Sequence, residues 1–290
     1  MLLSKDDFFV LLISIRKEDR MSYNQHLIVL DLDGTLLKDD KTISDFTKQV
    51  LSKARQHGHL VMIATGRPYR ASRAYYDELN LNTAIVNFNG AFVHHPKDKS
   101  FGLFHHPLDL ETAKTIIKTC QAFNVSNIMV EVLDDFYLHS FDQVIVDEFL
   151  AGQNPIEHGN LLKQLQTDPT SILVHPEEHH VQELRHLLED AHAEVIEQRM
   201  WGAPWNIIEI IRSGINKAIG IQKAAEYYNI PKERIIAFGD EDNDLEMIEY
   251  AGQGVAMSNA IEPLKSIANA VTSSNEEDGI GLYLEEALKL

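Results

Sequence analysis

From His26 the chain reads HLIVLDLDGTLL, a solid apolar run that breaks into acidic residues and then Gly34 and Thr35. A run this short, apolar at every position, predicts a buried parallel strand ending in a functional loop. Ser44 to His57 has helical spacing instead, with Phe46, Val50, Leu51 and Ala54 on one side and Gly58 as a stop. HLVMIATGR repeats the strand-to-loop pattern into Thr65, Gly66 and Arg67, and a third helix and strand end near Ile85 to Asn87. Strands alternating with helices imply an α/β fold with a doubly wound, Rossmann-like parallel sheet. In such sheets ligands gather at the carboxyl ends of the strands.

From about Gly90 to Trp205 the texture changes. Short strand-like runs (SNIMVEVL, SILVHP, AEVIEQ) mix with helix-like segments around Leu110 to Phe123 and Val181 to His192. The α/β alternation then returns, with Lys217 to Tyr228 as a helix and RIIAFGDEDND as a strand entering an acidic loop. The predicted division is an extension at 1–20, a discontinuous core domain at 21–89 and 206–290, and an inserted α+β domain at 90–205.

Charge narrows the partners. The 290 residues carry a net charge of −18 and no long Lys/Arg run, which argues against nucleic acid or anionic lipid and leaves a small molecule. The apolar run from Phe8 to Ile15 is too short to span a bilayer, and Asp6 and Asp7 stand where a signal peptide would be basic. Cys120 is the single cysteine, so no internal disulfide forms and a reducing cytoplasm is expected. Its neighbours Ile116, Ile117 and Phe123 point to core packing. The histidine pairs 94/95, 105/106 and 179/180 lack the spacing of a zinc site and read as surface residues. Trp201 and Trp205 read as hinge or core packing.

Two acidic loops carry the chemistry. Asp31 and Asp33 flank one residue at a strand end, and Gly239-Asp240-Glu241-Asp242-Asn243-Asp244 crowds four acids and an amide at another. Either loop alone reads equally as a strand-to-helix turn capped by aspartate. Together they repel unless a cation joins them, and a hard divalent ion, Mg²⁺ first, suits oxygen ligands, with Asp240 best placed to complete the site.

Four ordered pieces, DLDGT at Asp31 to Thr35, ATGR at Ala64 to Arg67, Lys217, and GDEDND at Gly239 to Asp244, resemble the haloacid dehalogenase superfamily, and within it the Cof-type metabolite phosphatases with a large inserted cap. The tail AGQGVAMSNA to VTSSNEEDGI looks similar too, although Ala218 and Ser258 replace common glycines. The resemblance implies Mg²⁺-dependent hydrolysis of a small phosphate monoester, a sugar phosphate or phosphorylated cofactor. Asp31 would be the nucleophile and Asp33 the general acid and base. Leu32, Thr65, Gly66, Lys217 and Asn243 would hold the phosphoryl group. Asp31, the Asp33 main-chain carbonyl and Asp240 would hold the metal, with Glu241 and Asp244 touching it or its waters. Arg67 fits either the pocket mouth or an outward ion pair. A sugar phosphomutase and a silent metabolite-binding regulator are the other readings.

Overall fold

The computed structural model describes residues 25–123, 125–143, 145, 155–192, 196–201 and 207–290. The extension at 1–20 and Trp205 lie outside the described residues. The strands in chain order are β1 (Leu27–Leu30), β2 (Leu60–Ile63), β3 (Ile85–Asn87), β4 (Phe92–His94), β5 (Leu103–His105), β6 (Asn127–Val132) and β7 (Asp135–Leu138). They continue with β8 (Glu157–His158), β9 (Ser171–His175), β10 (Ile196–Trp201), β11 (Ile207–Arg212), β12 (Ile235–Gly239), β13 (Gln253–Ala256) and β14 (Ala270–Val271). The chain divides into two compact units. One holds the described residues up to Met62 with Ala224–Leu290, the other Ile63–Lys223.

The first unit is built on a five-stranded sheet in the order β14-β13-β12-β1-β2. β1 runs parallel to β12, β12 to β13, and β13 to β14. All four β1 residues and all five of β12 are buried, as expected of a parallel sheet covered on both faces. Helix α1 (Asp45–Gln56) starts where Ser44 accepts a hydrogen bond from the Thr47 N–H at 3.0 Å, and it buries Val50, Leu51 and Ala54.

The second unit contains a six-stranded sheet, β10-β11-β9-β6-β7-β8, antiparallel except for β7 with β8. Alternation along β6 sends Ile128 and Val130 to a core shared with Ile172, Val174, Ile208 and Ile210, while Met129 packs with Leu173 on the other face. Cys120 is fully buried in that first core, and burial pushes its thiol up to about 12. Strands β3, β4 and β5 form a smaller antiparallel sheet.

Helix α2 (Tyr69–Glu78) follows the ATGR loop and has no side-chain cap of its own. Asp134 supplies one, accepting from the Arg70 N–H at 2.8 Å. The Arg70 guanidinium is buried against Glu131, whose other oxygen accepts from Ser171 Oγ at 2.6 Å. The surface expectation holds for His179, which is exposed, and is corrected for the 94/95 pair. His95 is 7% exposed, and His94 is half-buried, stacked on Phe92 at 4.4 Å and edge-on to Tyr69 at 4.8 Å. The His95 ring is held instead by its Nδ1, which accepts from the N–H groups of Lys97 at 3.1 Å and Asp98 at 3.0 Å.

Candidate active site

In the first unit, β1 and β12 are neighbours with Leu30 level with Phe238, so the residues after them leave the sheet side by side. Asp31 extends the ladder, its N–H donating to the Phe238 carbonyl at 3.2 Å. The chain then turns sharply at Gly34 (φ 75), with the Leu32 carbonyl accepting from the Thr35 N–H at 3.3 Å and the Leu37 N–H at 2.8 Å. Gly34 is required for space as well as for angle, because a Cβ there would overlap the Asp240 carboxylate.

Asp31, Asp240 and Asp244 each offer a carboxylate oxygen within 4.8 Å of the others, and all three are buried at 5%, 7% and 0% exposure. Three buried carboxylates this close cannot all stay charged without compensation, and an all-oxygen donor set is what Mg²⁺ takes. The residues therefore fit the ion. Two are held from behind. Asp240 Oδ1 accepts from the Thr35 hydroxyl at 2.6 Å, and Asp244 Oδ2 accepts from the N–H groups of Asp240 at 3.0 Å and Glu241 at 3.3 Å.

The other predicted metal-site acids stand apart from this group. The Asp33 carboxylate, 44% exposed, pairs with Lys41 Nζ at 2.9 Å. Glu241 is exposed and caps the Asp242–Asp244 turn by accepting from the Asp244 N–H. Partial desolvation, with the charges of Asp242 and Asp244, raises its carboxyl above the usual range. Asn243, in the same turn, is half-exposed, and Leu32 is fully buried. None of the histidine pairs belongs to the carboxylate group.

In the second unit, Thr65 is 1% exposed, with its N–H on the Val86 carbonyl at 2.9 Å and its hydroxyl accepting from the Arg67 N–H at 3.1 Å. Arg67 lies over the Tyr75 ring at 5.5 Å and donates to the Ala71 carbonyl at 3.4 Å. Lys217 is fully buried at the start of a helix, Lys217–Tyr228. That is an expensive place for an ammonium, since burial and the positive end of the helix both disfavour it. Two positioning residues escaped the sequence reading. Thr35 reads only as the last residue of DLDGT, and Lys41, at φ 64, is given no role.

Comparison with known proteins agrees with this picture. The family model described as haloacid dehalogenase-like hydrolase matches residues 28–284. The chain is 52% identical over 270 residues to the 5-amino-6-(5-phospho-D-ribitylamino)uracil phosphatase YitU of Bacillus subtilis, covering 93% of this chain and all of that protein. It is 29% identical to the pyridoxal phosphate phosphatase YbhA of Escherichia coli, over 89% of this chain and 97% of that one. A haloacid dehalogenase-like hydrolase from Bacteroides thetaiotaomicron superposes with a TM-score of 0.79 at 27% identity, covering 91% of this chain and 99% of that one. The chain belongs to the haloacid dehalogenase-like hydrolases and is a Cof-type phosphatase among them.

Proposed function

We propose that this phosphatase acts on 5-amino-6-(5-phospho-D-ribitylamino)uracil, through a phosphoaspartate on Asp31 and with Mg²⁺ as cofactor. The observation that carries the substrate is the 52% identity along the whole of a relative so named. Pyridoxal phosphate is the second choice, resting on a relative at 29% identity. The buried Asp31, Asp240 and Asp244 group supports the metal, and they would hold it together with the Asp33 main-chain carbonyl. Glu241, capping its own turn, would reach the ion only through water. When bound, the ion neutralises carboxylate and phosphoryl charge that would otherwise oppose attack.

A carboxylate oxygen of Asp31 attacks phosphorus and forms an acyl phosphate as the ester P–O bond breaks. Asp33 gives its proton to the departing alkoxide, then takes one from the water that cleaves the acyl phosphate and releases inorganic phosphate. Its carboxylate lies outside the Asp31 group, which suits a proton carrier better than a ligand. Thr65, the Gly66 N–H, the Leu32 N–H and Asn243 bind phosphoryl oxygens, and Lys217 stabilises their growing charge.

The inserted domain serves as the cap that selects the leaving group. Its limits, 90–205 by sequence, extend to about Arg212 in this reading, because β11 pairs with β9 and β10. The core is the flanking sequence at 21–89 and the C-terminal part. A cytoplasmic place and freedom from nucleic acid and membranes are also proposed. They rest on the acidic charge, the lone cysteine, and the absence among the described residues of a helix long and apolar enough to cross a membrane.

The test is phosphate release from the ribitylaminouracil phosphate, pyridoxal phosphate and p-nitrophenyl phosphate, with and without Mg²⁺, beside Asp31→Asn. Metal-dependent turnover that prefers the first substrate and vanishes in the variant is expected. Turnover that survives Asp31→Asn would refute the phosphoaspartate, and dependence on a bisphosphate would move the reading to a mutase.

A further inference from the structure

Residues 88–90 make a left-handed corner that the four motifs do not include. Phe88 (φ 49), Asn89 (φ 53) and Gly90 (φ 102) follow one another at positive φ, where a buried phenylalanine is an outlier. Phe88 and Asn89 are each 1% exposed. Such a run persists only where its surroundings hold it, and it concentrates at working sites.

The corner is tied to the ATGR loop. The Asn89 N–H donates to the Thr65 carbonyl at 3.1 Å, and the Arg67 carbonyl accepts from the Phe88 N–H at 3.4 Å and the Asn87 side-chain amide at 2.9 Å. Gly66 is thus bracketed on both sides. The Asn89 carboxamide lies against it, since a Cβ on Gly66 would stand 3.2 Å from Nδ2 and 3.3 Å from Oδ1. Beyond, Asn89 Nδ2 donates to Glu209 Oε2 at 3.4 Å, and Glu209 is 2% exposed. A carboxylate accepts only, so it fixes which end of the amide faces it. At the far end of the corner, a Cβ on Gly90 would overlap the Asn216 carbonyl oxygen. Asn216 also accepts from the Ile219 N–H at 3.2 Å, capping the helix that Lys217 opens.

We propose that Asn89, seated on Glu209, is a positioning residue for the phosphate loop: its carboxamide sets the placement of the Gly66 backbone, and the corner places that loop relative to Lys217. This rests on the reading of Thr65 and Gly66 as phosphate-binding. Asparagine suits the post because it tolerates left-handed backbone while still presenting an amide. Its contribution is to the placement of the groups that bind phosphate, in the bound ground state as well as in the transition state, and small displacements of such groups cost large factors.

Asn89→Gly tests this, since glycine keeps the left-handed backbone and deletes only the amide. The Ki of inorganic phosphate and the KM of p-nitrophenyl phosphate should each rise about tenfold, in line with a sub-ångström shift of the loop. The Mg²⁺ half-activation concentration, set by the carboxylates of the other unit, should not move. Gly66→Ala should weaken phosphate as well, and combined with Asn89→Gly it should cost less than the product of the two single effects, because removing the amide makes room for the methyl. An Asn89→Gly enzyme with wild-type Ki and KM overturns the proposal, as does a loss shared equally by phosphate and Mg²⁺. If Thr65→Ala leaves the phosphate Ki unchanged in an active enzyme, the loop is not the phosphate site, and both readings fall.

Discussion

The Thr35 hydroxyl donates to Asp240 Oδ1 at 2.6 Å, joining the turn after β1 to the end of β12 across 205 residues of sequence. Both partners are buried, so the bond orients one carboxylate of the group that could hold a metal. Thr35→Val, which keeps the shape and removes the donor, should raise the Mg²⁺ concentration for half-activation about tenfold, as loss of a ligand's supporting bond typically does. A Mg²⁺ titration of initial rates checks this, and an unchanged midpoint would show the bond to be idle.

Lys41 holds the Asp33 carboxylate at 2.9 Å from a turn braced by the Lys38 N–H on the Thr42 carbonyl at 2.9 Å. Both side chains are well exposed, so Lys41→Met should change stability by less than about 1 kcal/mol. Catalysis should respond according to the leaving group. The Lys41 cation favours the ionised carboxylate, so its loss should leave Asp33 more often protonated. For an alkyl phosphate, whose alkoxide needs that proton, kcat/KM should rise by up to about tenfold, whereas p-nitrophenolate leaves readily unprotonated and should be affected less. Equal changes on the two substrates would remove Lys41 from the proton-transfer step.

Arg70 is buried with Glu131, and its backbone N–H sits on Asp134. Arg70→Met leaves the Glu131 carboxylate buried without its cation and should cost about 3–5 kcal/mol, read as a lower urea midpoint. Arg70→Met with Glu131→Leu, an apolar pair of similar volume, should recover most of the loss. Failure to recover would assign the loss to the other contacts of the Arg70 side chain, with the Asp134 carbonyl and the Phe136 ring, and not to the stranded carboxylate.

Acid should loosen the fold through two histidines. Burial pushes His94 and His59 from the ordinary 6.5 down to about 4, so the folded protein keeps both rings neutral. The unfolded chain binds the extra protons between pH 6.5 and about 4. The stability these groups contribute is therefore intact above 6.5 and lost as pH falls through that window. The melting temperature should drop across it, and His94→Gln should flatten the slope. An identical slope in the variant would assign the acid sensitivity elsewhere.

Local pattern determined a good deal of this protein. Apolar runs marked β1, β2 and β12 because strands buried on both faces carry no polar positions. Ser44, three residues before Thr47, announced the start of α1. Asp31 and Asp240, which the structure brings together, stood out as acids in loops that follow strands.

What the tertiary structure alone decided is which of these side chains meet. β1 and β12 are neighbours through a register that no local periodicity encodes, and that adjacency brings Asp31 beside Asp240 and Asp244. Four acids follow Gly239, yet the direction each takes from a single tight turn sends Asp244 inward and Glu241 to the surface. Lys217 opens a helix in the sequence and is fully buried in the fold, while His94 and His95 read as surface and are half-buried and buried, His94 between the rings of Phe92 and Tyr69. Periodicity reports which way a side chain faces along its own element. What lies opposite depends on contacts between segments far apart in the chain, and these form only when the sheet closes.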